Sequence, residues 1–300
     1  MTTTNVTKGF FFAMVSSCTF GMIPLFSLPA IHTGMATASV VFYRFGFGSV
    51  FMLILMLLQK ENLYVTLAQF VRLSVLAVLN IASAVFLIEG FNHLPSGVAT
   101  TLQFSYPIFT ALIMMAFFHE KSCVKVWIAI ALAVGGVAML SGFGCDDNNL
   151  SMLGIIIELV AGLSYAVYLV AVPMLKLDGM DSSKLTFYVF IISTVMVLCY
   201  DLPAGQLQAP ANGEVWLSLL MLGLITTALS NYSLVVALRL IGSTITAILG
   251  ALEPLTAMIF GITIYNEPIT LSIGIGFAMI VAAVIILVLK DRKKECLDKA

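Results

Sequence analysis

The sequence predicts an all-α integral membrane protein: ten transmembrane helices built as two five-helix repeats of inverted topology. Three observations carry this prediction. Of the 300 residues, 61% are hydrophobic and only 10% charged, and the mean hydropathy is strongly positive. A soluble domain of this length needs far more charge to cover its surface. The apolar residues stand in blocks near twenty long, which is what a helix needs to cross the bilayer core. Finally, Lys and Arg recur in alternate breaks between the blocks, as a fixed orientation in the membrane requires.

The first block, 8–29, follows a single lysine, Lys8. It is longer than a signal-peptide core and has no clean cleavage site, so it reads as a retained span. The second, 36–58, runs from beyond His32 to Lys60, and the third, 69–90, starts at Arg72 and closes on Glu89. A short break at 90–95 holds His93 and leads to the fourth span, 95–118, which ends at Glu120 and Lys121. The fifth, 124–142, opens on Lys125 and leads to Asp146 and Asp147. The second set is 152–173 before Lys176, 184–202 between Lys184 and Asp201, 213–236 before Arg239, 242–264 before Glu267, and 270–290. Lys290, Arg292, Lys293, Lys294 and Lys299 follow it. With the N-terminus inside, every Lys and Arg named here falls on the cytoplasmic side. The external loops then hold His32, His93, Asp146, Asp147, Asp201 and Glu267. One span more or fewer would break this alternation, so both termini are expected in the cytoplasm.

The chain also repeats itself. A shift of 147 residues lays Pro107 on Pro254 and Glu120 on Glu267, with thirteen residues from proline to glutamate in both copies. A shift of 145 lays Gly9 on Gly154 and Phe20-Gly21 on Tyr165-Ala166. The halves divide as 1–145 and 146–300. Five spans is an odd number, so the second half enters the membrane in the opposite sense. Secondary transporters recurrently use this plan, with the substrate site near the midplane between the halves.

These features together resemble the EamA-type transporters of the drug/metabolite transporter superfamily. The resemblance covers nearly all of 8–290. It rests on the five-plus-five plan, Phe20-Gly21, Tyr43-Arg44-Phe45, and the segments 107–120 and 254–267. It implies a ten-helix basket around a central cavity, moving amino acids, nucleosides, sugars or drug-like metabolites, often outward, and it fits a bacterial inner membrane. One departure is visible: Val189 stands at the second-half position matching Arg44.

An ionisable group in the bilayer costs about 2.5–3.5 kcal/mol on insertion scales, so it faces a cavity or a partner. Arg44 lies deep in span two. Its planar guanidinium is suited to holding a carboxylate or phosphate bidentately. The alternative is a structural arginine paired to Glu89, Glu158 or carbonyls, and the resemblance favours it because arginines occur here in relatives with unlike substrates. Glu253 is at mid-span directly before Pro254; a carboxylate removed from water there suits proton uptake, or else a structural hydrogen bond across the bundle. Glu158, near Ser164 and Tyr165, is a weaker version of the same case. Glu89 and His93 read as a rim pair, and Glu120 and Glu267 as helix-end anchors.

Asn80, Gln103 and Asn231 sit mid-span, where buried amides must find partners across helices. Pro107 cannot donate to the carbonyl of Gln103, nor Pro254 to that of Gly250. Both prolines are therefore candidate hinges, and the freed carbonyls belong on a cavity rather than in lipid. Phe20, Tyr106, Tyr165 and Tyr232 are candidates for its aromatic walls. Small-residue faces at Gly135 and Gly136, and at Gly274 and Gly276, suit close helix packing or a homodimer seam.

Other functions are disfavoured. The histidines, His32, His93 and His119, lie at span ends without a catalytic cluster. No Gly-Lys loop for ATP is present, and the five cysteines form no CxxC pair, so neither metal nor cofactor is expected. A net charge of −1 argues against a nucleic-acid partner. The expected partners are a small-molecule substrate, the lipid bilayer and, in a coupled mechanism, protons. A secondary transporter for a small polar metabolite, an amino acid or related compound, is the leading reading. A channel, a multidrug, nucleoside or sugar permease, or a non-transporting membrane protein stands behind it.

Overall fold

The computed structural model describes residues 3–118, 124–140, 151–175, 177, 180–204, 207–250, 252–267 and 270–297. Glu120, with Lys121, Asp146, Asp147 and Lys176, lies outside the described residues. All the regular structure described is helical: α1 (Thr3–Gly21), α2 (Ile23–His32), α3 (Thr37–Leu58), α4 (Leu67–Gly90), α5 (Ser96–Gln103), α6 (Tyr106–Phe118) and α7 (Val124–Leu140). There follow α8 (Met152–Met174), α9 (Ser182–Ala204), α10 (Gly213–Gly223), a π-helical segment Leu224–Leu229, α11 (Ser230–Leu249), α12 (Leu252–Tyr265) and α13 (Leu271–Leu297). Among the described residues seven helical stretches are long and apolar enough to cross a bilayer, and three shorter apolar ones lie at 127–137, 252–265 and 271–286. This is a multi-pass membrane protein.

Local chemistry sets the ends. Thr66 and Gln69 form a reciprocal capping box at the start of α4. The side chains of Ser151 and Asn212 accept from Gly154 and Val215 to start α8 and α10. Large apolar side chains such as Leu58, Phe117, Leu153 and Leu271 are exposed on the outside, whereas Thr100, Thr101, Thr194, Thr226 and Ser230 are buried. Each of these hydroxyls donates to a backbone carbonyl one turn back. Polar inside and apolar outside is the arrangement lipid demands.

The packing looks the same when the halves are exchanged. Helix α1 lies along α11 as α8 lies along α4, and α12 packs on α1 as α5 and α6 pack on α8. In the same way α10 meets α3 as α4 meets α9, while α3 with α9, α5 with α12 and α7 with α13 pair across the middle. Helices α3 and α9 run antiparallel. Phe45 meets Phe190 at 5.6 Å, and beyond the C-terminal end of α3 the carbonyl of Leu63 accepts from Tyr188. Glycines permit the close approaches. A Cβ on Gly154 would lie 2.7 Å from Leu94, and its counterpart Gly9 packs on Ile241 in the same way. A Cβ on Gly136 would lie 2.9 Å from the carbonyl of Gly276, so that small-residue face is occupied by the chain's own α13.

One expectation needs correction. No loop separates spans eight and nine at 236–242: the helical run of α11 continues through it to Leu249, and the chain changes direction within that run. The corresponding turn in the first half is made with Asn92, His93 and Pro95, whereas 236–242 holds no proline to remove a helical hydrogen bond. The direction of the chain still reverses. Ser230 lies beside Ser16 and Ile241 beside Gly9, yet Glu253 lies beside Gly21. The chain therefore passes down α1 and has climbed back beyond Ser16 by Glu253.

Candidate functional site

Helices break where they face the middle of the bundle. Helix α5 gives way to α6 at Phe104-Ser105, and α11 to α12 at Gly250. The prolines do not kink continuous helices: Pro107 is the second residue of α6 and Pro254 the third of α12, where a missing N–H costs nothing. Between these breaks lies a cavity of about 320 Å³. Gln103 and Tyr106 reach it from one break, Gly250 and Glu253 from the other. Ser16, Ser17 and Phe20 come from α1, Arg44 and Phe45 from α3, Asn80 and Ser83 from α4, and Tyr165 and Tyr168 from α8. Phe190 of α9, Thr227 of the π segment and Asn231 of α11 complete much of the wall.

Arg44 is the buried cation of this wall, 7% exposed. Its Nε donates to Thr227 Oγ1 at 3.3 Å, and its guanidinium lies 5.9 Å from the Phe45 ring centre. The π segment aims Thr227. The extra residue in the turn lets the Thr227 hydroxyl donate to the Leu222 carbonyl five residues back, at 2.9 Å, leaving its lone pairs toward Arg44. Asn231 Nδ2 donates to the Thr227 carbonyl at 2.7 Å. The aromatic side is tied together: Tyr106 meets Tyr165 edge-on at 4.8 Å, and Tyr165 stacks on Tyr168 at 5.8 Å. Arg44 Nη1 and Asn80 Nδ2 are buried with no hydrogen-bond partner among the described residues.

Of the residues singled out by sequence, Arg44, Asn80, Gln103, Tyr106, Tyr165, Asn231 and Glu253 line this one cavity, as does Phe20. Glu158 and Tyr232 do not. Glu158 is fully buried with its carboxyl packed on Gly90, and neither oxygen has a hydrogen-bond partner among the described residues. Arg44 pairs with neither Glu158 nor Glu89. The latter accepts from Thr37 at 2.5 Å and Asn92 at 3.2 Å and pairs with His93 at 3.4 Å. Thr227, Ser16, Ser17 and Tyr168 escaped the sequence reading. For Thr227 a signal existed: the 147-residue shift lays it on Asn80.

The profile of the EamA-like transporter family matches residues 7–142 and again 152–289. The chain belongs to the EamA-like transporter family. Its relatives are named transporters. It is 28% identical to an uncharacterized transporter of Synechocystis over 61% of this chain and 56% of that one. It is 24% identical to the S-adenosylmethionine uptake transporter of Rickettsia bellii over 88% and 87%. It is 30% identical to the threonine/homoserine exporter RhtA of Escherichia coli K12 over 63% and 61%. The alignments span less than two thirds of the lengths of the Synechocystis relative and of an uncharacterized transporter of Bacillus subtilis, 56% and 66%. A solved structure with 13% identity superposes at a TM-score of 0.66, covering 98% of this chain and all of that one, and shares the fold. This EamA-like chain thus carries the family unit twice.

Proposed function

We propose that this EamA-like chain is a secondary transporter that exports a small polar metabolite, an amino acid or related compound, by alternating access. The observation that carries the reading is that Arg44 from the first half and Glu253 from the second face one cavity, where a helix of each half is broken. Opposite charges on one small cavity suit a zwitterion. At about 320 Å³ the cavity is near the lower end of the roughly 300–1,000 Å³ typical of ligand pockets. That size favours a metabolite over a drug-sized compound. The relatives' names point the same way: threonine, homoserine and S-adenosylmethionine all carry an α-amino acid group.

In this reading residues 1–145 and 146–300 are the two halves, ten spans run in inverted order, and both termini lie on the cytoplasmic side of the inner membrane. Pro107 and Pro254 mark the hinges, and Glu253 takes up the coupling proton. The test is flux in proteoliposomes with labelled amino acids, nucleosides and sugars, with and without an imposed pH gradient. Saturable uptake of amino acids, raised by the gradient and lost in Glu253→Gln, is the expected outcome. Absence of protein-dependent flux across the whole panel, from correctly inserted protein, removes the carrier reading.

A further inference from the structure

Two buried donors on the cavity wall lack an acceptor. Arg44 uses Nε on Thr227, but its Nη1 has no partner among the described residues, and neither has Asn80 Nδ2. A buried donor left unsatisfied costs about 1–3 kcal/mol, and more when it is charged. The carboxylates nearest in kind to a partner for Arg44 within the protein are engaged or turned elsewhere. Glu89 holds Thr37, Asn92 and His93, and Glu158 packs on Gly90. Glu253 interacts with Arg44 electrostatically, yet among the described residues the two form no ion pair within 4.0 Å.

The repeat sharpens this picture. Asn80 and Thr227 hold matching places in the two halves under the 147-residue shift. Thr227 is an acceptor already given to the guanidinium, whereas Asn80 presents a free N–H. Val189 stands where a second arginine would complete the symmetry, so the wall carries one strong anion-binding group rather than two. Arg44 and Asn80 both line the cavity, and their two unmatched donors, one of them charged, match an acceptor-only group with two oxygens.

We propose that the cavity binds the carboxylate of an α-amino acid between Arg44 Nη1 and Asn80 Nδ2, with the ammonium group facing Glu253. This deepens the carrier reading and rests on it. It restricts the substrate to one carboxylate, because the negative charge of Glu253 opposes a second.

The probes are L-threonine, its alcohol L-threoninol and its primary amide, which keep the ammonium and side chain and lose the carboxylate. Each is measured two ways: by thermal stabilisation of the purified full-length protein, and by competition for flux in proteoliposomes. L-Threonine should bind at least about tenfold more tightly than either analogue, the discrimination expected when buried donors are left unpaired. Arg44→Gln, Asn80→Leu and Asn80→Asp should each erase that preference. Asn80→Asp keeps the shape of the side chain and so remains informative if Arg44→Gln fails to fold. Equal binding of threonine and threoninol overturns the clamp, as does an Asn80→Asp variant that retains the preference. Carboxylate-selective stabilisation without flux sinks the carrier and supports the clamp. Flux of nucleosides or sugars alone supports the carrier and sinks the clamp.

Discussion

At the scale of single residues, Glu158 separates what a position in a span suggests from what its neighbours allow. From sequence it shares its helix with Tyr165 and stands in the membrane, which is reason enough to place it at a site. In the fold it turns from the cavity toward α4, where Gly90 makes room for its carboxyl. A buried carboxyl without hydrogen bonds contributes no stability, and an apolar side chain of similar size is often neutral or better. Glu158→Leu is therefore expected to leave substrate flux unchanged and the melting temperature equal or higher. Flux lost to the extent seen in Glu253→Gln would return Glu158 to the transport path. Sequence alone does not place Glu158 on the cavity, for a physical reason. A helical residue's depth follows from its number, but its direction depends on which helices lie beside it.

At the scale of elements, much was legible. Lipid requires long apolar blocks and alternating charge, and these leave their mark one residue at a time. The joints were less so. Pro107 and Pro254 are expected from sequence as hinges within spans, yet each opens a new helix, because the breaks at Phe104-Ser105 and Gly250 come first. Glu267 was read as a helix-end anchor without anything to anchor. In the fold its carboxylate accepts from the backbone N–H groups of Ser96, at 2.6 Å, and Gly97, at 3.2 Å. It thereby caps α5 across a separation of 171 residues, which no local pattern encodes. Asn266, in a left-handed conformation with φ of 51°, turns the chain so that the cap closes. A negative charge at a helix N-terminus also meets the positive end of the dipole. Removal of such a cap costs about 0.5–2 kcal/mol. Glu267→Ala should lower the melting temperature of the detergent-purified protein, with Glu267→Gln intermediate because it keeps one acceptor. An unchanged melting temperature in Glu267→Ala would mean that this bond between the halves holds nothing together.

At the scale of the whole molecule the scaffold is symmetric and the site is not, since Arg44 faces Val189 across the repeat register. A symmetric scaffold of inverted halves makes a definite statement about sides. Helix α3 has 22 residues, about 33 Å at 1.5 Å per residue, enough to cross a hydrocarbon core of about 30 Å. At its N-terminal end the backbone of Ala36 donates to Gln208 at 2.8 Å; beyond its C-terminal end the carbonyl of Tyr64 accepts from Lys184 at 2.7 Å. The first pair joins the 33–36 loop to the segment after α9, and the second joins the 59–66 loop to the start of α9. One helix from each half thus shares both of its ends with the other, running the opposite way. In the proposed orientation Lys60 and Lys184 put the second face in the cytoplasm, as the charge rule expects. In a background with the native cysteines replaced, Gln208→Cys should react with a membrane-impermeant maleimide in intact cells. Lys60→Cys should react only after the membrane is opened. Reversed labelling would turn the molecule over and place the basic loops outside, against the rule that orients membrane proteins. Labelling of both from one side would break the antiparallel pairing of α3 and α9, and with it the inverted halves on which the proposed alternating access depends.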